Sequence, residues 1–240
     1  PSLIEIQKKK LIKTKIVWVS NINRIKKNPS IFIANEFFDA ISIKQFRKKN
    51  NLWFEKFVNL KNPKKAFFFE KKIDIKRIEK KINFKISQNQ NFIEYSEIGL
   101  NYLKDISKII KKNNGGLLLI DYGYTEKKMK NTLKAISNHK FANILDNIGN
   151  SDITHNISFE LFKKFTKKMG GLENNLTTQK DFLIKMGIGQ RASIISKNQN
   201  FLKKADIYYR LKRLIDEKQM GNIFKVMLIK NAKNKFKLGF

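Results

Sequence analysis

The chain has 240 residues and 41% apolar side chains, enough for one large domain or a domain with an insertion. It has no cysteine and only two histidines, His139 and His155, so disulfides and thiolate metal centres are excluded and no metal site is expected. The net charge of +31 looks like a nucleic-acid footprint, but 45 of the 51 basic residues are lysine and only 6 arginine.

Lys, Asn, Ile and Phe are abundant together and share AT-rich codons, so one mutational bias explains all four. A selected nucleic-acid surface would favour Arg, whose fork matches phosphate and base edges. Salt-sensitive adhesion to polyanions is therefore expected, and a specific nucleic-acid partner is not. No run of 18 apolar residues occurs, so no membrane insertion is expected. PSLIEIQKKK carries no apolar signal region, and the default expectation is a cytoplasmic protein.

In chain order, Ser2 to Ile12 reads as a helix already under way, as in a fragment or a processed product. KIVWVS (15–20) and IFIAN (31–35) read as buried strands joined by the turn-like NINRIKKNPS. Residues 41–95 change character. ISIKQF, LWFEKFVNL, KAFFFEKKI, KINFKIS and FIEY are short, partly alternating runs, read as a β-rich insertion. EIGLNYLKDISKIIKK (97–112) is an amphipathic helix stopped by Asn113-Asn114-Gly115-Gly116. GLLLIDYG (116–123) is a third buried strand. The segment 125–157 is turn-rich; ISFELFKKFTKKMGG, DFLIKMGI and 201–218 read as helices, and IFKVMLIKN as a last strand. This is an α/β chain with a mostly parallel sheet and helices on both faces, over residues 1–40 and 96–240, interrupted by the insertion at 41–95.

Two buried strands end in polar clusters: Asn35-Glu36 with Asp39, and Asp121-Tyr122-Gly123. In an open parallel sheet both tips lie along the carboxyl edge, where ligands bind. Either acid alone is more simply a cap or a lysine partner; the two tips together point to a site. A third cluster, GNSDITHNISF, holds Asp152 and Thr154, which suit turns, and His155, which suits proton transfer near neutral pH. No glycine-rich nucleotide loop and no nucleophile triad is present.

ANEFFDAISIKQF (34–46) resembles the NE-x-x-DA-x-P-V-x-Q-F signature of the MidA-type methyltransferases, the family that includes the mitochondrial complex I assembly methyltransferase. The resemblance continues in order through LWFEKFV, GGLLLIDYG, NTLKAISNHK, DNIGNSDITHNISF, TTQKDFLIKMGIGQRA and MGNIFKVMLI, across almost the whole chain. It implies a Rossmann-like class I methyltransferase fold, S-adenosyl-L-methionine as methyl donor, and symmetric dimethylation of arginine in a protein substrate, in one branch a complex I subunit. PSLIEIQ matches the family's SP-x-L-x-x-x-Q segment. The glycine-rich cofactor loop and the ribose-binding acid lie upstream of that segment, so the first strands are expected to be missing and the isolated chain to bind the cofactor poorly. Ser42 stands where the family has proline, and Ser158 where it often has aspartate.

Carboxylates suit arginine methylation because they hold guanidinium N–H groups in pairs and aim the remaining nitrogen. Glu36, Asp39 and Asp121 are the catalytic candidates on this reading. Tyr122, Asp152 and His155 are substrate-binding candidates. Asn35 is placed at the methionine end of the cofactor or at the substrate, and Ser20 and Asn21 at the strand tip that meets adenine, by fold analogy. Three other classes stay open: a non-catalytic assembly factor, a basic nucleic-acid-binding protein, and a methyltransferase acting on another amide or amine.

Overall fold

The computed structural model describes residues 2–25, 28–62, 65–138, 140–146 and 148–240. Helix α1 (Ser2–Lys10) and a 3-10 turn (Ile22–Arg24) precede β1 (Ser30–Asn35). The insertion follows as β2 (Lys44–Lys49), β3 (Leu52–Asn62), β4 (Lys65–Ile73), helix α2 (Ile75–Ile82) and β5 (Phe92–Tyr95). Helix α3 (Glu97–Asn113) leads to β6 (Gly115–Tyr124). Three short strands, β7 (Lys134–Ser137), β8 (Lys140–Ala142) and β9 (Asp152–Thr154), form a small sheet of their own before β10 (Ile157–Ser158). Then come α4 (Phe159–Met169), β11 (Leu172–Thr178), α5 (Gln179–Lys185), α6 (Ile188–Ser196), α7 (Phe201–Ile215), α8 (Met220–Ile223) and β12 (Phe224–Asn231).

The main sheet has the order β1-β6-β12-β11. β1 and β10 pair with β6 in parallel, β12 runs antiparallel to β6, and β11 antiparallel to β12. All strands but β12 therefore point the same way, as in a mostly parallel Rossmann-like sheet. IFIAN and LLLID are neighbours, in register from Ser30–Gly115 to Asn35–Ile120.

One face of the sheet builds the core. Ala34, Leu117, Leu119, Met227 and Ile229 are buried there against Leu100, Leu103, Ile106 and Ile110 of α3 and Phe162 and Phe165 of α4. The apolar positions of α3 recur at helical spacing, and its start is set by Ser96, whose side chain accepts from Gly99 N–H. The antiparallel sheet of the insertion, β4-β3-β2-β5, joins this core through Phe46, Trp53, Ile93 and Tyr95. On the other face, Phe224, Val226 and Leu228 of β12 are buried, whereas Ile31 and Ile33 at the edge strand are 82% and 70% exposed.

Three elements differ from the sequence expectation. Residues 15–19 of KIVWVS form no strand and are mostly exposed, because no strand among the described residues pairs with them; an apolar run becomes a strand only where a ladder takes up its N–H and C=O groups. KINFKIS is no strand either. Its first two residues are the last of α2, a helix started by Asp74, which accepts from Lys76 N–H, and ended by Asn83 in the left-handed conformation. β11 has no apolar pattern to announce it, because LENNLTT places two Asn in a half-buried strand; one of them is accommodated by Thr166 Oγ1, which donates to Asn174 Oδ1 at 3.0 Å.

Gly123 sets how closely β10 and α4 approach β6. A Cβ there would lie 2.4 Å from Phe159 Cε2 and 2.5 Å from the Ile157 carbonyl oxygen. Gly123→Ala is expected to lower stability by about 1–3 kcal/mol, the usual cost of overpacking, read as a lower urea midpoint with an unchanged slope. A midpoint equal to wild type would mean that the β6–β10 contact is not tight.

Candidate active site

Strand β6 changes partner along one edge. β1 follows it as far as the pair Asn35–Ile120, and β10 takes over at Ile157–Gly123. Asp121 and Tyr122 sit in the gap, where β1 has turned away and β10 has not yet arrived. The turning chain needs hydrogen-bond partners for its backbone. Glu36 N–H donates to the Ile120 carbonyl at 3.0 Å. The N–H groups of Phe38 and Asp39 donate to Asp121 Oδ2 at 3.1 and 3.4 Å, and Tyr122 N–H to Asp121 Oδ1 at 2.9 Å. One buried carboxylate thus holds both strand tips together, which is why acids stand at the end of a buried apolar run.

Glu36 has φ +45°. A bulky residue in the left-handed region carries strain, and such positions gather at functional sites. Its side chain is exposed and accepts from Asn35 Nδ2 at 3.3 Å. Asp39 is buried beneath. Its Oδ2 accepts from Thr154 Oγ1 at 3.0 Å, and its Oδ1 is buried with no partner among the described residues. His155 is also buried; its backbone N–H donates to the Asp39 carbonyl at 3.3 Å, and its Nε2 lies 3.2 Å from the Ile41 carbonyl, which fixes the proton on Nε2.

Burial pushes the Asp121 carboxyl up to about 7, with the charge of Asp39 adding to it; the three backbone N–H donors pull the other way without cancelling it. The Tyr122 phenol is raised by burial first and then by Glu36, Asp39 and Asp121, against the Arg213 guanidinium. Its ring packs on Phe224 with centroids 4.0 Å apart.

Asn35, Glu36, Asp39, Asp121, Tyr122 and His155 therefore gather at the gap, with Glu36 and Asn35 at the surface and Asp39, Asp121 and His155 below. Asp152 does not join them: it is exposed on β9, paired with Ile136. Thr154, read from sequence as a turn residue, is the side chain of that strand that reaches Asp39. Ser20 and Asn21 line a depression of about 550 Å³ with Phe37, Ile98 and Tyr102. Asn21 Oδ1 there accepts from Asn23 N–H at 2.9 Å. His139 lies outside the described residues.

Sequence reasoning also missed a buried brace. Glu94 of β5 accepts from Gln45 Nε2 at 2.6 Å and from the N–H and Oγ1 of Thr132; Thr132 Oγ1 accepts in turn from Asn156 N–H at 2.8 Å. It ties the insertion to the residue after His155. Nothing in the pattern around Thr132 announces it. Among the described residues, no group of three His, Asp or Glu is placed to hold a metal ion, and no helix is long and apolar enough to cross a membrane.

A family model described as "Putative S-adenosyl-L-methionine-dependent methyltransferase" matches residues 1–177. The chain is 27% identical over 223 residues to the Danio rerio protein arginine methyltransferase NDUFAF7, mitochondrial, covering 90% of this chain and 51% of that protein. It is 29% identical over 178 residues to the Caenorhabditis elegans homologue, covering 73% and 42%. The chain thus spans about half the length of the curated relatives it matches. A Burkholderia thailandensis structure superposes with a TM-score of 0.78 at 19% identity, covering 99% of this chain and 65% of that one. A second, bound to S-adenosyl-homocysteine, superposes with a TM-score of 0.74 at 18% identity, covering 100% and 62%. The relatives are named mitochondrial, which overturns the expectation of a cytoplasmic protein.

Proposed function

The chain belongs to the family of S-adenosyl-L-methionine-dependent methyltransferases whose model it matches, and from that premise we infer that it is the acceptor-holding part of a protein arginine methyltransferase. The observation that carries the reading is the acid cluster at the β1–β6 gap: an exposed Glu36 on the turn whose backbone is held by the buried Asp121, with the buried Asp39 beside it. The names of the relatives support the same reaction.

The residues present fit two ends of the cofactor, its base and its methionine moiety. Phe37 and Tyr102, 5.4 Å apart and edge to face, border the depression that Ser20 and Asn21 share, which suits a flat heteroaromatic base. The exposed Asn35 amide suits the charged groups of a methionine moiety. When bound, S-adenosyl-L-methionine supplies a methyl group on a sulfonium, open to attack by nitrogen.

The chain's own residues then hold and aim the acceptor. Glu36 accepts two N–H groups of the guanidinium and leaves the remaining nitrogen free to point at the methyl. Asp121 positions Glu36 by gripping the backbone of Phe38 and Asp39. The buried pair also places negative charge under a cation that is always protonated in water. The proton lost on methyl transfer leaves one of the N–H groups that Glu36 holds and passes to a Glu36 oxygen, so the methylated guanidinium keeps a single positive charge. The acceptor is a protein, and a respiratory complex I subunit is the reading the resemblance supports.

Calorimetry with N-acetyl-arginine amide in buffers of different ionisation enthalpy tests the site. A guanidinium above Asp121 favours its ionised form, so binding near pH 6.5 is expected to release a proton, and binding above pH 8 to release none. Binding of the arginine and the lysine analogue alike, with no proton release, would overturn the assignment.

A further inference from the structure

The sheet of the insertion is longer on one side than on the other. β2 pairs with β3 from Lys49–Leu52 to Phe46–Glu55. β3 and β4 stay paired from Trp53–Ile73 to Asn62–Lys65. β2 begins at Lys44, which its register sets beside Phe57, so from Val58 onward β3 has a partner on its β4 side alone among the described residues. This one-sided stretch covers ~15 Å at ~3.3 Å per residue. β3 runs antiparallel to β2, so the stretch passes the beginning of β2 at Lys44. The chain enters β2 from Asp39 and Ile41, the segment that Asp121 and His155 hold. The unpaired edge thus borders the site end of the insertion.

The arm is apolar on both faces. Phe57, Phe67 and Phe69 share one, with Phe57 and Phe69 stacked at 5.4 Å. Val58, Leu60 and Phe68 share the other, with Val58 53% and Leu60 57% exposed. Leu60 N–H is taken up by the neighbouring Asn59 Oδ1 at 2.9 Å, so it is not spent on β4. Alternation along a strand turns Val58 N–H the same way. Exposed edges are ordinarily blunted by lysines, bulges or proline. Here Lys56, Lys61 and Lys65 and the irregularity between Leu60 and Asn62 protect the ends of the arm. Between them, Val58 N–H and the carbonyls of Val58 and Leu60 are left open.

We propose that this edge docks the acceptor polypeptide: an extended segment of a protein pairs its backbone with β3 at Val58–Leu60, in line with β2, and the residues that follow reach the Asn35–Asp39 tip. Main-chain pairing supplies affinity, and the two apolar faces receive alternate side chains. The chemistry at the tip rests on the arginine methyltransferase reading; the docking does not. A lipid surface or a nucleic acid would use the lysines and leave the backbone edge unused.

The probe is a fluorescent ten-residue peptide of alternating Thr and Val with a terminal Arg, followed by anisotropy with the whole protein at high salt, where lysine adhesion is screened. Wild type is expected to bind it. Val58→Pro removes an outward N–H, which a strand tolerates at an edge, and is expected to weaken binding about tenfold or more. The same peptide with alternate backbone nitrogens methylated is expected to lose as much, and it leaves the protein untouched should Val58→Pro fold poorly. No binding by wild type, or equal binding of the plain and N-methylated peptides, would overturn the proposal. Transfer of labelled methyl to the peptide arginine is read separately. Binding that follows the backbone pattern without transfer leaves the docking standing and removes the arginine methyltransferase reading. Transfer indifferent to N-methylation does the reverse.

Discussion

In the full-length protein, Glu36→Gln is expected to lose roughly 10- to 150-fold in methyl transfer while its melting temperature barely moves. The glutamate is exposed, and its side chain meets only Asn35 among the described residues, so folding has little to lose. A charge-assisted hydrogen bond made in the transition state contributes about 1.5–3 kcal/mol, and 1.36 kcal/mol is tenfold in rate. Glu36→Gly sharpens the contrast. Glycine adopts φ +45° freely, so this variant is expected to gain about 1 kcal/mol in stability as it loses transfer. If Glu36 only closed a turn, both variants would keep their turnover per folded molecule, and retained turnover would end the assignment.

Asp121→Asn is expected to change the pH dependence of stability more than any other substitution. The wild-type carboxyl is raised from 3.8 to about 7. A raised acid contributes its stability fully below the unfolded value and loses it as pH rises through the folded value. Between pH 4 and 7 the native state holds a proton that the unfolded chain has released, so stability falls by about 1.4 kcal/mol per pH unit, roughly 4 kcal/mol across the window. The asparagine variant has no such proton. At pH 4.5 the protonated carboxyl still offers two oxygens to the N–H groups of Phe38, Asp39 and Tyr122, whereas an amide offers one, so the variant is expected to be less stable there by about 1–3 kcal/mol. The difference is expected to shrink or reverse by pH 8, where the wild type carries a buried charge. Urea melts across pH 4.5–8.5 check this, and two parallel profiles would show that Asp121 is already ionised throughout.

Much of this architecture was legible in the amino-acid order. IFIAN, GLLLI and VMLI are continuous apolar runs, the mark of strands in a sheet core, and two of them carry acids where the run stops; the first reads as buried, but Ile31 and Ile33 lie exposed at the sheet edge. KIVWVS has the same pattern and forms no strand, because a ladder depends on neighbours that no local pattern contains. LENNLTT shows the opposite failure: its polar residues hide a strand that β12 makes possible. The tips themselves were visible, but their layering was not. Asp39 and Asp121 are buried because β10, which begins 36 residues after Asp121, returns to the edge that β1 leaves. That return also brings Thr154 and His155 over Asp39 and leaves Asp152 outside. The gap is a product of topology, and local spacing cannot express it.

The most direct measurement is the identity of the methylated atom. The whole protein, given methyl-labelled S-adenosyl-L-methionine and purified unmethylated complex I subunits, should place label on arginine, and fragmentation spectra should show one methyl on each terminal guanidino nitrogen. Asp121→Asn and Glu36→Gln should each reduce that label in the same spectra. Label on lysine, on a carboxyl group or on nucleic acid, or label on arginine that both variants leave undiminished, would contradict the role given to the β1–β6 gap.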